Sequence, residues 1–305
     1  MKKWILVPFW LAVLAFVFGV STRIASPAAK TRFYVGLHRE WTAHWPWEQG
    51  KQFPVFLARW FTPMAPAWVQ VEPHVTMLLD PDDLVSKVIL ITGSWEPESW
   101  HAIDRHLAPG ATFVDVGAHI GYYSLKAAPV VGAAGRVIAI EPNPQTVLKL
   151  RDNIRASGAS VVAVEPVACA DTEATLDLFA APRSNTGETS LSRANASQEG
   201  PAVASYRVRA RPLDDIVREA GVSRVDAVKI DVEGAEFLVL KGGAQTLDRF
   251  HPMVLVEVVD HQLRQMGTSS AQITAFMQAH GYSAQHVYGD NVEFDAAGGS
   301  GPKPN

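Results

Sequence analysis

Cysteine is almost absent from the sequence, where Cys169 stands alone among 305 residues. One cysteine cannot form an intrachain disulfide, a Cys-x-x-Cys redox pair or a cysteine-based structural zinc site, so these classes are excluded. The absence of disulfides is compatible with a catalytic domain in the cytoplasm. We expect Cys169 to pack as a small, buried apolar residue.

The sequence also lacks an excess of basic residues. It has 27 Lys and Arg against 31 Asp and Glu, a formal net charge of −4. Because no basic stripe with interleaved aromatic residues is present, no nucleic-acid partner is predicted. Hydrophobic residues make up 48% of the chain, which predicts a folded protein with a substantial core. Nothing in the composition indicates an oligomeric state.

The first segment is nearly free of charge. After Lys2 and Lys3, the 17 residues Trp4–Val20 contain no charged side chain. As a helix they would extend about 26 Å at ~1.5 Å per residue, slightly less than a bilayer core of ~30 Å. A secretory signal peptide and an uncleaved membrane anchor both fit, but the run exceeds the usual signal core of ~7–15 residues. We therefore predict a single-pass N-terminal anchor.

The sequence divides into four predicted segments. These are the anchor or signal peptide at 1–32, a Trp- and Pro-rich cap with a hairpin at 33–92, a domain of predicted core strands and helices at 93–294 and a disordered tail at 295–305. The cap is either a collar at the membrane surface or a loop-rich layer packed on the catalytic domain. Its hairpin is predicted from the apolar runs Val75–Leu79 and Val85–Thr92.

The first chemical signal lies where an apolar strand meets glycine. The run Phe113–Val116 predicts a buried strand, Gly117 ends it, and a helix is predicted over Tyr122–Val131, just past Gly121. The N–H groups and the dipole at the start of that helix attract an anion, whereas Asp115 attracts a cation. Together they suit a zwitterion such as an amino acid.

A second predicted strand, Arg136–Glu141, ends in an acid 20 residues past Gly121. In nucleotide-binding α/β folds, an acid at this place holds ribose hydroxyls. The dinucleotide pattern Gly-x-Gly-x-x-Gly is absent, since His119 and Tyr122 stand at its second and third glycines. We therefore expect a ligand that has a ribose and no diphosphate. S-adenosylmethionine meets each requirement.

Further apolar runs predict three more core strands, namely Val161–Val164, Val225–Val232 and Met253–Val258. Ligands of such sheets gather at the carboxyl ends of the strands. Asp231 and Glu233 are therefore expected beside the same crevice as Asp115 and Glu141.

Three motifs carry a family resemblance. Phe113–Leu125, Ile140–Asn143 and Val228–Glu236 resemble the signatures of FkbM-type S-adenosylmethionine-dependent methyltransferases, and the resemblance extends roughly from Ile89 to Tyr288. The family usually has Asn where this chain has His119. The resemblance implies an α/β fold: a doubly wound, mostly parallel, seven-stranded Rossmann-like methyltransferase sheet with a β-rich insertion, here preceded by the predicted N-terminal hydrophobic helix.

The resemblance also implies a cofactor site for S-adenosylmethionine. Its candidate residues are Glu96, Asp115, Gly117, His119, Gly121, Glu141, Pro142, Asn143 and Asp171. Two of them have alternative interpretations. Glu96 would equally serve as a helix cap, and Asp171, the proposed partner of the adenine amino group, would equally begin a turn.

Methyl transfer is a direct displacement, so the protein mainly aligns donor and acceptor. Asp231 is the first candidate for a general base, followed by Glu233 and Glu257. His119 and His261 are alternative candidates for the general base. The competing interpretation gives each of them a structural role. Convergence of Asp231, Glu257 and His261 on a metal was considered, but no metal site is predicted.

The function implied by the resemblance is methylation of a hydroxyl oxygen on a sugar, glycolipid or secondary metabolite. The predicted anchor favours a lipid-linked acceptor at the membrane, with the catalytic domain on the cytoplasmic side, where the cofactor is made. Two alternatives are an NAD(P)-dependent oxidoreductase and a non-catalytic, membrane-anchored scaffold of the same fold. His119 and Tyr122 oppose the first, and the acids predicted along the crevice oppose the second.

Overall fold

The computed structural model describes residues 65–296, with the exception of residue 199. The predicted anchor at 1–32, most of the Trp- and Pro-rich cap and the end of the predicted tail lie outside the described residues. Within the described part, no helix is both long and apolar enough to cross a bilayer.

Twelve strands are present in the described part of the chain. They are β1 Ala67–Glu72, β2 Val75–Leu79, β3 Thr112–Val116, β4 Arg136–Ile140, β5 Val162–Glu165, β6 Ala168–Cys169, β7 Ala174–Ala180, β8 Ala204–Arg211, β9 Ala227–Ile230, β10 Met253–Glu257, β11 Tyr282–Tyr288 and β12 Asn291–Ala296.

Nine α-helices accompany these strands in the same part of the chain. They are α1 Leu84–Thr92, α2 Pro97–Asp104, α3 Tyr122–Val131, α4 Pro144–Ser157, α5 Leu213–Glu219, α6 Glu236–Gly242, α7 Ala244–Phe250, α8 Asp260–Gln265 and α9 Ser270–Ala279.

The central sheet has seven strands in the order β11-β12-β10-β9-β3-β4-β5. Strands β3, β4, β5, β9 and β10 are parallel, whereas β12 is antiparallel to both β10 and β11. In register, Phe113 of β3 lies between Val137 of β4 and Ala227 of β9. Nearly every residue of these strands is buried, as expected for parallel strands covered on both faces. The predicted α/β fold with a mostly parallel sheet is confirmed.

Alternate residues of each strand pack into different cores, one on each face of the sheet. Phe113 joins a cluster with Met77, Ile89 and Leu125, so β2, α1 and α3 cover one face. Val114, by contrast, joins the cluster on the opposite face. Because β1, β2 and α1 share the core of β3, the predicted boundary at residue 93 does not separate two cores.

A small second sheet forms the insertion between β5 and α5. Its strands lie in the order β6-β8-β7, and β7 pairs with β8 from Ala174↔Ala210 to Ala180↔Ala204. The polar segment between β7 and β8 contains short 3-10 turns at Arg183–Glu188 and Asn195–Ser197. This sheet is the predicted β-rich insertion.

The predicted hairpin of Val75–Leu79 with Val85–Thr92 is wrong. Val75–Leu79 instead pairs with Ala67–Glu72, a strand that was not predicted. Residues Leu84–Thr92 form helix α1, whose first turn is capped by the Asp83 carboxylate accepting the N–H of Ser86 at 3.0 Å. The cap and the i, i+4 spacing of buried Val85 and Ile89 outweigh the β-propensity of this run.

Strand β12 contains Asp295 and Ala296, so the predicted tail begins two residues too early. These residues pair with Ser283 and Tyr282 of β11.

Candidate functional site

A cleft of about 320 Å³ opens at the carboxyl ends of β3, β4, β9 and β10. Ligand sites in proteins typically occupy roughly 300–1,000 Å³. The turn after β3 and the turn after β4 form one end. The loops after β9 and β10 form the other, and residues of the insertion cover both.

The turn after β3 requires glycine at its first position. Gly117 has φ +84°, and a Cβ there would lie 1.7 Å from the backbone oxygen of Asp231. The turn is therefore pressed directly against the end of β9. Gly121, with φ +93°, ends the turn and begins helix α3.

His119 lies within this turn in a left-handed conformation, with φ +50°. Its backbone N–H donates to Glu141 Oε2 at 2.9 Å, and its ring Nε2 lies 2.9 Å from the hydroxyl of Thr186. That hydroxyl donates to Asp83 Oδ1 at 2.7 Å. Since its only proton points to Asp83, Thr186 must accept from Nε2–H, so Nε2 of His119 carries a hydrogen.

The pKa values along this chain of hydrogen bonds agree with that assignment. Burial lowers the pKa of His119, although the nearby Asp83 carboxylate opposes the shift. Burial would raise the pKa of Asp83, but His119 and the hydrogen bonds from Ser86 and Thr186 outweigh it and lower that pKa. Asp83 is thus an anion that holds the insertion against the turn.

Glu141 lies directly beyond β4 and lines the cleft with Pro142. Its carboxylate accepts the N–H groups of His119, at 2.9 Å, and Asn143, at 2.8 Å. Burial raises the pKa of Glu141 to about 7, even though these two hydrogen bonds favour the anion. Asn143 does not line the cleft; its side chain accepts from the N–H of Gln145 and caps α4.

Asp115 lies beneath the cleft and does not form part of its wall. Its Oδ2 accepts from the Ser124 hydroxyl at 2.6 Å, whereas its buried Oδ1 has no hydrogen-bond partner among the described residues. Lys229 stands opposite Asp115 in the β3–β9 register. Burial raises the pKa of Asp115, and the charge of Lys229 limits that rise.

The apolar part of the cleft lies between β4 and the insertion. Its walls are Pro142, Val167, Ala168, Cys169 and Leu178. Cys169 is buried, as predicted, and burial raises the pKa of its thiol to about 12. This slot suits a flat apolar group such as a purine ring.

The structure does not bring Asp171 to this slot. Its carboxylate pairs with Lys241 of α6, and it is absent from the cleft wall. The structure thus places Asp171 outside the cleft wall, and its contact with the adenine stays a prediction. Strand β6 ends at Cys169, and Ala168 and Cys169 line the slot, whereas the chain beyond them leads into the insertion.

At the other end of the cleft, Asp231, Glu233 and Glu257 meet. Each of the three offers a carboxylate oxygen within 4.8 Å of the other two. Lys229 donates to Asp231 Oδ2 at 2.7 Å, and the carboxylates of Asp231 and Asp115 outweigh burial and raise its pKa. Burial, followed by repulsion from neighbouring carboxylates, raises the pKa of both Glu233 and Glu257.

The loop that carries Glu233 is held from several directions. Glu233 itself has φ +55°, and its carboxylate accepts from Gln262 of α8. Glu236 Oε1 accepts the N–H groups of Val232 and Gly234, at 3.1 and 3.0 Å. Backbone strain of this kind occurs at functional sites, where surrounding contacts compensate for it.

Glu96 stands at the N-cap position of α2, but its side chain makes no capping hydrogen bond and lines the cleft instead. Its Oε2 accepts from the Tyr123 hydroxyl at 2.8 Å and from Asn291 Nδ2 at 3.2 Å. Its φ of +39° is again left-handed, like those of His119 and Glu233. His261 also lines the cleft, but its Nε2 pairs with Gln198 at 2.9 Å.

Some residues of the site escaped prediction. Thr186, Gln262 and Asn291 position the acids, yet they come from distant elements and follow no sequence pattern. Tyr123 is different, because it lies within the glycine-turn motif and would have been found by placing the first turn of α3 against the cleft.

A family model for the methyltransferase FkbM domain matches residues 115–284, and this span contains the glycine turn, Glu141 and all three converging acids. The chain belongs to the FkbM methyltransferase family. This confirms the predictions of a methyltransferase enzyme and of S-adenosylmethionine as its methyl donor. It does not support the oxidoreductase alternative.

The chain is similar to parts of two curated proteins. The AMB antimetabolite synthetase AmbE of Pseudomonas aeruginosa is 28% identical over 58% of this chain and 10% of its own length. The hexuronic acid methyltransferase AglP of Haloferax volcanii is 28% identical over 47% of this chain and 54% of its own length. The chain thus spans about half of AglP and a tenth of AmbE.

Solved structures are similar at low identity. The FkbM methyltransferase from Methylobacillus flagellatus is 19% identical, with a TM-score of 0.42, over 69% of this chain and 52% of its own. Fibrillarin from Aeropyrum pernix, solved with bound S-adenosylmethionine, is 11% identical, with a TM-score of 0.38, over 62% of this chain and 67% of its own.

Proposed function

We propose that this FkbM-family chain transfers a methyl group from S-adenosylmethionine to a hydroxyl oxygen of a sugar or another polyhydroxylated acceptor. One observation carries the proposal. A single cleft joins Gly117 and Glu141, which suit the donor, to the acids Asp231, Glu233 and Glu257, which suit a hydroxyl acceptor.

The donor end fits the parts of S-adenosylmethionine one by one. Glu141 would accept the ribose hydroxyls, and the slot beside Ala168 and Cys169 would enclose the adenine. The unpartnered oxygen of Asp115 and the N–H groups at the start of α3 provide opposite charges for the amino acid part. When bound, the donor supplies an electrophilic methyl group.

Asp231 is the residue that would accept the proton of the acceptor hydroxyl. Its side chain is 24% exposed and lines the cleft, and its backbone lies against Gly117 of the donor end. Lys229 holds one carboxylate oxygen and thereby fixes the direction of the other. Holding the acceptor oxygen in line with the methyl group accounts for most of the rate that such a site provides.

The acceptor is proposed to be rich in hydroxyl groups because the walls at this end accept hydrogen bonds. Glu96, Glu188, Glu233 and Glu257 all line the cleft, and carboxyl oxygens accept hydrogen bonds from hydroxyl groups. The name of AglP, a hexuronic acid methyltransferase, supports a saccharide acceptor.

A lipid-linked saccharide is the acceptor we propose for the full chain, with the catalytic domain held at the cytoplasmic face of a membrane. The support is the uncharged run Trp4–Val20. Labelled methyl transfer to a membrane glycolipid extract is expected. Transfer to soluble compounds alone would contradict the lipid-linked acceptor and leave methyl transfer intact.

The donor site is tested by calorimetric titration of the purified chain with S-adenosylhomocysteine. Saturable binding of one molecule per chain is expected, and Glu141→Ala should weaken it at least tenfold. Glu219→Ala is the matched control, because Glu219 lies on α5 at the surface and pairs with Arg211. Absence of binding by the folded wild-type chain would overturn the proposed function.

A further inference from the structure

The three acids at the acceptor end have the spacing of ligands around one cation. Asp231 follows β9, Glu233 lies two residues later in the loop, and Glu257 ends β10, yet one oxygen of each lies within 4.8 Å of the others. Hard divalent cations bind carboxylate oxygens at ~2.0–2.6 Å, which places two ligands of one ion up to roughly 5 Å apart.

A separate residue also points to a ligand here. Asn291 stands opposite Glu257 in the antiparallel β10–β12 register, so the two side chains share one face of the sheet. Asn291 is 3% exposed, and its Oδ1 has no hydrogen-bond partner among the described residues, while its Nδ2 reaches Glu96 in the cleft wall. A buried oxygen without a donor is costly unless a ligand or ordered water satisfies it.

Glu257 shows the same feature from within the cluster. Its Oε2 is shielded from solvent and, in the described part of the chain, accepts no hydrogen bond. Lys229, the lysine in the cleft wall, donates to Asp231 Oδ2. Among the described residues, neither Glu233 nor Glu257 forms an ion pair with a basic side chain.

A second group with metal-like spacing is less suitable. His106, Glu293 and Asp295 also place ligand atoms within 4.8 Å of one another. There, however, the Arg105 guanidinium already donates to both oxygens of Glu293, at 2.9 and 2.8 Å. A cation at that place would face a guanidinium, whereas a cation in the cleft would face carboxylates.

We propose that Asp231, Glu233 and Glu257 bind one hard divalent cation, Mg²⁺ or Mn²⁺, which holds the acceptor oxygen beside the methyl-donor site. The statement about the acceptor rests on the proposed function, whereas the ion site stands by itself. Three protein oxygens leave about three positions of an octahedral shell for the acceptor and water. A hydroxyl and a neighbouring oxygen of one sugar would fill two of them.

The test is a calorimetric titration of the full chain with MnCl₂ in the absence of any methyl donor. One Mn²⁺ per chain is expected. Glu257→Gln, which keeps the shape and removes one charge, should weaken binding at least tenfold. The matched control is Asp295→Asn, which removes one charge from the second group and should change the affinity less than twofold.

Circular dichroism at rising temperature shows whether each variant is folded. If Glu257→Gln does not fold, Glu233→Gln in the loop replaces it, with the same tenfold loss expected. Wild-type chain that binds no Mn²⁺ below 1 mM would overturn the proposal, as would binding that is lost in Asp295→Asn and retained in Glu257→Gln.

A titration with S-adenosylhomocysteine separates the two proposals. If that ligand binds and Mn²⁺ does not, the ion site is wrong and the proposed function stands. If Mn²⁺ binds in the cleft and S-adenosylhomocysteine does not, the ion site is supported and methyl transfer is not.

Discussion

The imidazole Nε2 of His119 donates to the hydroxyl of Thr186 at 2.9 Å and so ties the turn after β3 to the insertion. Asp83, before α1, accepts from both the N–H and the hydroxyl of Thr186, at 3.0 and 2.7 Å. Three elements that are far apart in sequence are thereby fixed around the donor end of the cleft. The FkbM family usually has Asn at the place of His119, so this chain reaches the insertion with a longer side chain.

The first prediction concerns the side chain at position 119. His119→Asn should keep the left-handed backbone, which Asn adopts readily, and the N–H donated to Glu141. S-adenosylhomocysteine affinity should then stay within threefold of wild type. His119→Val should lower the free energy of unfolding by about 1–3 kcal/mol, because a β-branched residue is strained at this φ. Equal stability of the two variants in urea unfolding would contradict this view of the turn.

Thr186 is the subject of the second prediction. Thr186→Val keeps the volume and removes the hydroxyl, leaving a buried imidazole N–H and the Asp83 carboxylate without their shared partner. We expect a loss of about 1–3 kcal/mol in the free energy of unfolding. Thr175→Val, at an exposed position of β7, is the control and should cost less than that. An unchanged unfolding midpoint in Thr186→Val would mean that the hydrogen bonds do not hold the insertion.

The third prediction compares two glycines of similar backbone conformation. Gly117→Ala would place a Cβ 1.7 Å from the Asp231 backbone oxygen, whereas a Cβ at Gly158, with φ +63°, meets nothing within 4 Å. Gly158→Ala should cost only about 1–2 kcal/mol, the usual penalty of the left-handed region. Gly117→Ala should cost more and abolish S-adenosylhomocysteine binding. Similar melting temperatures for the two variants would refute the close approach of the turn to β9.

The parts of the fold that the sequence predicts are those coded by local pattern. The run Phe113–Val116 and the glycines beside it determine a strand, a turn and a helix with little help from the rest of the chain. The run Val85–Thr92 has the β-branched residues of a strand, but such residues also fill buried helix faces. The deciding signal was the capping pair Asp83 and Ser86, which precedes the helix.

The site was less predictable because several of its contacts join distant segments. The convergence of Asp231 and Glu233 near the cleft followed from the rule for strand ends. Its completion by Glu257 and Asn291 depends on the order of strands in the sheet, which no local pattern contains. Asp171 lies outside the cleft wall for a related reason, since the direction of the chain after β6 is determined by pairing with β8.

The fourth prediction concerns the pH dependence of stability at Glu141. Burial raises the pKa of Glu141 from the ordinary 4.5 to about 7. Between these values the folded chain keeps a proton that the unfolded chain has lost, so the contribution of Glu141 to stability falls as pH rises. Glu141→Gln is always neutral and lacks this loss.

Urea unfolding of both chains from about pH 5 to about pH 8 tests this prediction. Relative to wild type, the free energy of unfolding of Glu141→Gln should rise across the range by up to about 3 kcal/mol. Glu219→Gln, at the surface, should show no such rise. A difference between Glu141→Gln and wild type that stays constant with pH would contradict a raised pKa.

The last prediction concerns Lys229, the cation that lies between the acids Asp115 and Asp231. Lys229 is 2% exposed, donates to Asp231 and stands opposite Asp115. Lys229→Met keeps the length and leaves both carboxylates without their counter-ion, which should cost about 3–5 kcal/mol at neutral pH. The charge of Lys229 holds down the pKa of Asp115, so its removal should raise that pKa further. Acid then protonates Asp115 and relieves part of the penalty, and the variant should approach wild-type stability as pH falls.

The matched control is Lys241→Met, because Lys241 pairs with Asp171 at the surface of α6 and should show a small, pH-independent effect. A penalty for Lys229→Met that is equal at about pH 5 and about pH 8 would show that Lys229 contributes packing and not charge.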